Sequence, residues 1–137
     1  MALILDTRFL IAHCFPRSKE ERERIRDFLP KIAKDTLMIP SIVVVEFIKI
    51  AGSAIGLEQA KIKLRLWIGS GAEIVPIDRD TAFLAGEVAL RHRDAPIADV
   101  IISTMAQRFK ATVVTDDPHF IALGVKTTWY ELPKGIH

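Results

Sequence analysis

Two adjacent carboxylates end an apolar run in the stretch "TVVTDDPHF", which spans residues 112–120. The β-branched residues lead directly into Asp116 and Asp117, and a proline follows. Taken alone, the pair is explained by a turn with an aspartate cap. The alternative is one half of a metal site, because carboxylate oxygens are the ligands that Mg²⁺ and Mn²⁺ prefer. The other acids of the chain decide between these interpretations.

Three further acids lie in or directly after apolar segments, where burial of an unpaired carboxylate is unfavourable. Asp6 follows the apolar run "ALIL" directly. Glu46 lies in "SIVVVEFIKI" and Asp99 in "PIADVIISTMA", and both segments are apolar on nearly every side, where an unpaired charge is expensive. Each acid also has a plain explanation when taken singly. Asp6 would cap a helix, Glu46 would pair with Lys49, and Asp99 would suit the first turn of a helix.

The four acids together favour a metal site over four separate structural roles. Carboxylates that converge without a cation repel one another and raise one another's pKa, and a divalent ion removes that repulsion. Ser103 lies one helical turn after Asp99 on the same face. No spacing typical of a zinc site is found among the four histidines, which are His13, His92, His119 and His137.

The elements that must carry these acids alternate between short apolar strands and helices. Strands are predicted at residues 2–5, 36–39, 73–77, 112–115 and 127–132. Helices are predicted at residues 7 to about 15, at 57–68, from Pro96 to about 109, and at 118–123. Three more helices are predicted to begin at a side-chain cap. The first begins at Ser18 and runs past Pro30, the second begins at Ser41 and ends at about 51, and the third begins at Asp78 or Asp80 and ends at about 93. We expect Pro30 to bend or break its helix.

This alternation is typical of an α/β protein with a parallel sheet that is covered on both faces. In such sheets, ligands bind beyond the carboxyl ends of the strands. Asp6 follows the first strand, and Asp116 and Asp117 follow the fourth. If these two strands are neighbours, their carboxylates share one crevice.

The composition agrees with one globular domain over residues 1–137. With 19 basic and 17 acidic residues the net charge is +2, which neither demands nor excludes nucleic acid. Cys14 is the single cysteine, and "MALILDT" lacks the features of an export signal, so we expect a cytoplasmic protein. The longest apolar region is interrupted by Pro40, Glu46 and Lys49, which argues against a membrane span.

In order and spacing, these segments resemble the PIN-domain family of metal-dependent ribonucleases, which includes the VapC-type toxins of toxin–antitoxin pairs. The matching segments are "ILDT" with Asp6, "SIVVVEF" with Glu46, "ADVIISTMA" with Asp99, and "VVTDDPHF" with Thr115, Asp117 and Phe120. The resemblance spans nearly the whole chain. It implies a single PIN-like domain with a five-stranded parallel sheet in the order 3-2-1-4-5, flanked by helices on both faces.

The resemblance also implies a catalytic site made of Asp6, Glu46, Asp99 and Asp117, which would hold one or two Mg²⁺ or Mn²⁺ ions. Glu46 would bind directly or through a water. Such ions polarise the scissile phosphate and activate a water for in-line attack. Three residues would support the site: Thr115 through its hydroxyl, Ser103 beside Asp99, and Asp116 through its charge.

Two positions depart from the family pattern. Arg8 replaces a small polar residue that many members carry, and His119 stands where an acid is common. Arg8 would either neutralise the carboxylates or contact an RNA phosphate. Lys49 is a second candidate for a phosphate contact, and such contacts predict salt-sensitive binding.

The sequence therefore predicts a metal-dependent endoribonuclease, with RNA as its substrate and a VapB-type antitoxin as the partner that the resemblance implies. The alternative is a catalytically inactive PIN-like module that binds RNA or protein. A phosphatase that needs Asp-x-Asp after its first strand is disfavoured, because the chain reads Asp6-Thr7-Arg8 there. The crowded apolar residues between Ile48 and Leu66 predict a homodimer.

Overall fold

The computed structural model of the protein describes residues 1–130 and contains one parallel sheet of five strands. The strands are β1 Ala2–Leu5, β2 Thr36–Pro40, β3 Glu73–Val75, β4 Thr112–Val114 and β5 Thr127–Thr128. Their order is β3-β2-β1-β4-β5, and every neighbouring pair is parallel. The predicted fold class and strand order are confirmed.

Seven helices connect or follow these strands within residues 1–130. They are α1 Thr7–Cys14, α2 Lys19–Ile32, α3 Ser41–Ile55, α4 Leu57–Gly69, α5 Arg79–Arg91, α6 Ile97–Phe109 and α7 His119–Ala122. Side-chain caps begin three of them, because Asp6, Ser18 and Asp78 each accept a hydrogen bond from a backbone N–H of the first turn. Asp78 rather than Asp80 is therefore the cap of α5.

Several predicted boundaries were wrong, each for a local reason. Pro40, not Ser41, occupies the cap position of α3, and no side chain caps that end. The same helix runs past Ala51 to Ile55, where Gly56 ends it with φ 92°. Pro30 lies inside α2, which continues to Ile32, so the proline does not break the helix.

Smaller differences affect the ends of the strands. Strand β3 ends at Val75 rather than at residue 77, and β4 ends at Val114, which leaves Thr115 in the loop. Strand β5 covers Thr127–Thr128, the beginning of the predicted fifth strand. The last two residues of that prediction, 131 and 132, lie outside the described residues.

Both faces of the sheet are covered. Leu3, Ile4 and Leu5 of β1 are all buried, and successive residues of a strand point to opposite faces. Val113 and Val114 of β4 repeat this pattern. Continuous apolar strands of this kind are typical of parallel sheets between helical layers. Among residues 1–130, none of the helices has the length and apolar character needed to cross a membrane.

The position of β1 beside β4 decides where the acids lie. Asp6 follows β1, and the segment 115–117 follows β4, so both stand at the same edge of the sheet. The backbone N–H of Asp6 donates to the carbonyl of Val114 at 3.3 Å, which continues the pairing up to this edge. Helix α6 packs against β1 and β4, and α3 packs against α6. These contacts carry Asp99 and Glu46 toward the same place.

The link between α3 and α4 provides a test of the fold. Gly56 has φ 92° and ψ 154°, a conformation that residues with a Cβ rarely adopt, although a Cβ there would meet no atom within 4 Å. We expect Gly56→Ala to lower the free energy of unfolding by about 1–3 kcal/mol, purely through backbone strain. Urea unfolding measures this change.

Gly86→Ala is the matched control, because Gly86 lies inside α5 and also has nothing within 4 Å of a built Cβ. Alanine is the better helix former, so this variant should gain about 0.5–1 kcal/mol. Equal effects of the two substitutions would contradict the assigned conformation of Gly56.

Candidate functional site

Asp6 is held rigidly between β1 and α1. Only 3% of Asp6 is exposed to solvent, and both of its carboxylate oxygens accept hydrogen bonds. Oδ1 accepts from the backbone N–H of Thr7 at 2.8 Å, and Oδ2 accepts from the Thr115 hydroxyl at 2.7 Å. The same hydroxyl accepts from the backbone N–H of Asp117 at 3.1 Å. Thr115 therefore ties Asp6 to the loop that carries Asp117.

Glu46 is half-buried in the second turn of α3 and is held by a side chain of α1. The Thr7 hydroxyl donates to its Oε1 at 2.7 Å. Pairing with Lys49 does not occur, since that lysine is exposed and forms no ion pair within residues 1–130. Thr7 therefore connects the two acids, since its backbone N–H donates to Asp6 and its hydroxyl donates to Glu46.

Asp99 and Asp117 face each other across the imidazole of His119. His119 Nδ1 lies 2.9 Å from Asp117 Oδ1 and 3.4 Å from Asp99 Oδ2. One ligand atom from each of the three residues lies within 4.8 Å of the other two. The backbone N–H of His119 also donates to Asp117 Oδ1 at 3.0 Å.

Sequence reasoning missed His119 as a member of this group. The spacing between histidines does not reveal it, because the partners of His119 are carboxylates from α6 and the loop after β4. The available signal was its place two residues after Asp117, where the family resemblance expects an acid.

Burial and neighbouring charges disturb the titration of Asp6. Burial raises its pKa to about 6 from an ordinary value of 3.8. The hydrogen bond from Thr115 works against that rise, as does the one from the backbone of Thr7. The charges of Asp99 and Glu46 add to it, which places these acids within electrostatic reach of Asp6.

Asp99 shows the same behaviour for the same reasons. Burial raises its pKa to about 6, and the charge of Asp117 contributes further. His119 lowers the pKa of Asp99 by its charge and by hydrogen bonding, while Glu46 raises it. Without a cation, the ionised form of this cluster is thus penalised both by burial and by mutual repulsion.

Arg8, Asp116 and Ser103 are predicted residues outside this cluster. Arg8 Nε donates to Asp116 Oδ1 at 2.6 Å, so its hydrogen-bonding partner is Asp116 rather than one of the four acids. That bond is the main cause of the raised pKa of Arg8. Ser103 is 1% exposed, and its hydroxyl has no hydrogen-bond partner among the described residues.

The donor set fits a divalent cation. Asp99 and Asp117 offer oxygen atoms at short range, and Asp6 and Glu46 stand close enough to add to their repulsion. Oxygen ligands suit hard ions such as Mg²⁺ and Mn²⁺. An ion at this place would remove the electrostatic cost that raises the pKa of Asp6 and Asp99.

Solved structures of toxin–antitoxin proteins have a similar fold. VapBC2 of Rickettsia felis, bound to a fragment of promoter DNA, is 21% identical over 96% of this chain and 100% of that chain, with a TM-score of 0.77. DNA-bound VapBC of Salmonella typhimurium is 20% identical over 94% of this chain and 98% of that chain, with a TM-score of 0.73. The sarcin–ricin-loop-cleaving toxin VapC20 of Mycobacterium tuberculosis is 16% identical over 90% of this chain and 95% of that chain, with a TM-score of 0.75.

At these identities the likeness concerns the fold. No curated protein sequence shows a significant match to the chain. The family model of the PIN domain, in contrast, matches residues 3–126, a stretch that holds all four acids. With that match added to the strand order and the acidic cluster at the β1–β4 edge, the chain belongs to the PIN-domain family.

Proposed function

We propose that this protein is a metal-dependent endoribonuclease that hydrolyses RNA phosphodiester bonds, with residues 1–137 forming one PIN nuclease domain. The observation that carries the proposal is the convergence of Asp6, Glu46, Asp99 and Asp117 at the carboxyl edge of β1 and β4. Membership of the PIN-domain family supports nuclease chemistry at this edge. An acidic cluster alone would repel a phosphodiester, so the activity needs a cation.

In this proposal Asp6, Asp99 and Asp117 hold one or two Mg²⁺ or Mn²⁺ ions, and Glu46 binds directly or through a water. When bound, such ions would supply positive charge for the scissile phosphate and lower the pKa of a water. The chain's own hydrogen bonds orient the ligands. Thr115 fixes Oδ2 of Asp6, and the Thr7 hydroxyl fixes Oε1 of Glu46.

Phosphate contacts come from the rim of the site. Arg8 engages Asp116 through Nε, which leaves its terminal guanidinium N–H groups for a phosphate. Lys49 is exposed on α3, one turn after Glu46. These residues are the proposed grip on RNA, and their contribution falls as the salt concentration rises. RNA as the substrate is supported by the likeness to VapC20, which is described as a toxin that cleaves the sarcin–ricin loop.

We further propose a VapB-type antitoxin as a partner and the cytoplasm as the place of action. The partner is supported by the structural neighbours that are VapBC complexes. The location is supported by the single, half-buried Cys14, which suits a reducing compartment.

A homodimer is proposed through α3 and α4. These helices expose large apolar side chains, and burial of such a surface against a second copy would be favourable. The exposed residues are Val45, Ile50, Leu57, Ile62 and Leu66.

The nuclease proposal predicts that Asp99→Asn abolishes cleavage. The substitution removes a charged ligand, so the cleavage rate of a mixed single-stranded RNA panel should fall more than about 100-fold with Mn²⁺ or Mg²⁺. EDTA should stop the wild-type protein equally. Asp80→Asn, an exposed acid of α5, is the matched control and should cut at the wild-type rate.

Metal-dependent cutting that survives Asp99→Asn would disprove the assigned site. A folded wild-type protein, free of partner, that cuts no RNA with either metal would instead favour the catalytically inactive binding module.

The raised pKa values of Asp6 and Asp99 predict a pH effect on the metal-free protein. The folded state keeps protons that the unfolded state loses between pH 3.8 and about 6, so this part of the stability is lost as the pH rises through about 6. In EDTA at about pH 7.5, Asp99→Asn should therefore be about 1–2 kcal/mol more stable than the wild type. Near pH 5 that advantage should shrink, because protonation already neutralises Asp99.

Thermal unfolding at both pH values measures the difference between wild type and variant, and Asp80→Asn serves again as the control. A difference that stays constant between the two pH values would show that Asp99 is not under electrostatic stress.

The dimer proposal predicts that Leu66→Lys gives a monomer at micromolar concentration, because a charge would enter the apolar contact. Leu66 is 61% exposed, and Leu90 of α5, at 64%, is the matched control. Light scattering coupled to gel filtration should find dimers for the wild type and for Leu90→Lys. A monomeric wild-type protein would refute the proposal.

A further inference from the structure

His119 is positioned as precisely as the acids beside it. It begins α7 directly after Pro118, and its backbone N–H is bonded to Asp117 Oδ1 at 3.0 Å. The next residue, Phe120, is fully buried and donates its backbone N–H to the carbonyl of Asp117 at 3.3 Å. The loop geometry on one side and the core on the other therefore hold the imidazole at the carboxylates.

The distances within the group match those between ligands of a single ion. Ligands bound side by side to an ion at about 2.1 Å lie about 3 Å from each other. His119 Nδ1 lies 2.9 Å from Asp117 Oδ1 and 3.4 Å from Asp99 Oδ2. One ligand atom from each of the three residues lies within 4.8 Å of the other two, so the three side chains can share one cation.

An imidazole changes which cation such a site prefers. Mg²⁺ selects oxygen ligands in a strict octahedral arrangement, whereas imidazole nitrogen suits ions later in the transition series. Mn²⁺ accepts the oxygen ligands and, as a transition-series ion, binds imidazole nitrogen more readily than Mg²⁺ does. One nitrogen ligand among carboxylates is therefore a selectivity element against Mg²⁺.

We infer that His119 Nδ1 is a direct ligand of the divalent ion together with Asp99 and Asp117, and that it makes the site prefer Mn²⁺ over Mg²⁺. The inference rests on the proposed function, since it concerns the same acidic site. It goes beyond that function in assigning a nitrogen ligand and the choice of metal. A neutral imidazole that offers Nδ1 to an ion carries its proton on Nε2.

The direct test is the coupling between the Mn²⁺ electron spin and ¹⁴N of a bound imidazole. The full-length protein is loaded with Mn²⁺ below one equivalent, and electron spin-echo modulation is recorded without RNA. The wild type should show ¹⁴N modulation typical of histidine. His119→Ala should lose it, and His92→Ala, which removes an exposed histidine at the end of α5, should keep it.

Metal affinities provide the second readout. In titrations with Mn²⁺ and Mg²⁺ alone, His119→Ala should weaken Mn²⁺ binding by about 10- to 100-fold and Mg²⁺ binding by much less. His119→Asp restores an oxygen ligand and should lower the ratio of Mn²⁺ to Mg²⁺ affinity while it retains binding of both. Because the His119 side chain is 53% exposed, both variants should still fold, and their far-UV circular dichroism should match that of the wild type.

The two proposals fail in different ways. Mn²⁺ that binds the wild type without ¹⁴N modulation, and binds His119→Ala equally well, would overturn the histidine ligand and leave the nuclease site intact. If the wild-type protein binds neither Mn²⁺ nor Mg²⁺, it behaves like Asp99→Asn, which lacks an acidic ligand. That result overturns the metal site and the proposed function together.

Discussion

The burial of carboxylates beside one another in a single crevice is the constraint on which the rest of this structure depends. Burial raises the pKa of Asp6 and of Asp99 to about 6, so the folded chain without a cation carries a cost at neutral pH. The central strands offset that cost with continuous apolar burial on both faces of the sheet. Hydrogen bonds from Thr7 and Thr115 then keep the acids in place despite their repulsion.

Thr7 and Thr115 orient the site, because each is hydrogen-bonded to two acidic residues. The backbone N–H of Thr7 binds Asp6 while its hydroxyl binds Glu46. The hydroxyl of Thr115 donates to Asp6 and accepts from the backbone of Asp117. Since both threonines are buried, water competes little for these bonds. The acids are therefore oriented before any ion binds, which lowers the entropy cost of forming the proposed site.

The alternation of parallel strands and helices could be predicted because it follows from local signals. Short apolar runs between helical patterns define a parallel sheet, and acids directly after the strands mark its carboxyl edge. The resemblance to the PIN-domain family supplied the adjacency of β1 and β4, which no local pattern contains. The length of α3 was harder, because its apolar residues continue to Ile55 and only the conformation of Gly56 ends it.

Contacts between side chains that are far apart in sequence could not be predicted. Arg8 and Asp116 are separated by 108 positions, and only the pairing of β1 with β4 brings them together. The same holds for His119 and Asp99, which meet because α7 begins at the edge where α6 also begins. The spacing of histidines along the chain carries no signal for a set that combines one imidazole with two carboxylates.

Both departures from the family pattern add a basic group to an acid of the loop after β4. Arg8 pairs with Asp116, and His119 contacts Asp117 and Asp99. An acid at position 119 would have added a fifth negative charge to the crevice. The chain instead carries a smaller excess of negative charge at this edge, which in the proposed nuclease would lessen the repulsion of an RNA phosphodiester. In the proposed nuclease, these two substitutions adjust both the approach of the substrate and the ligand set of the ion.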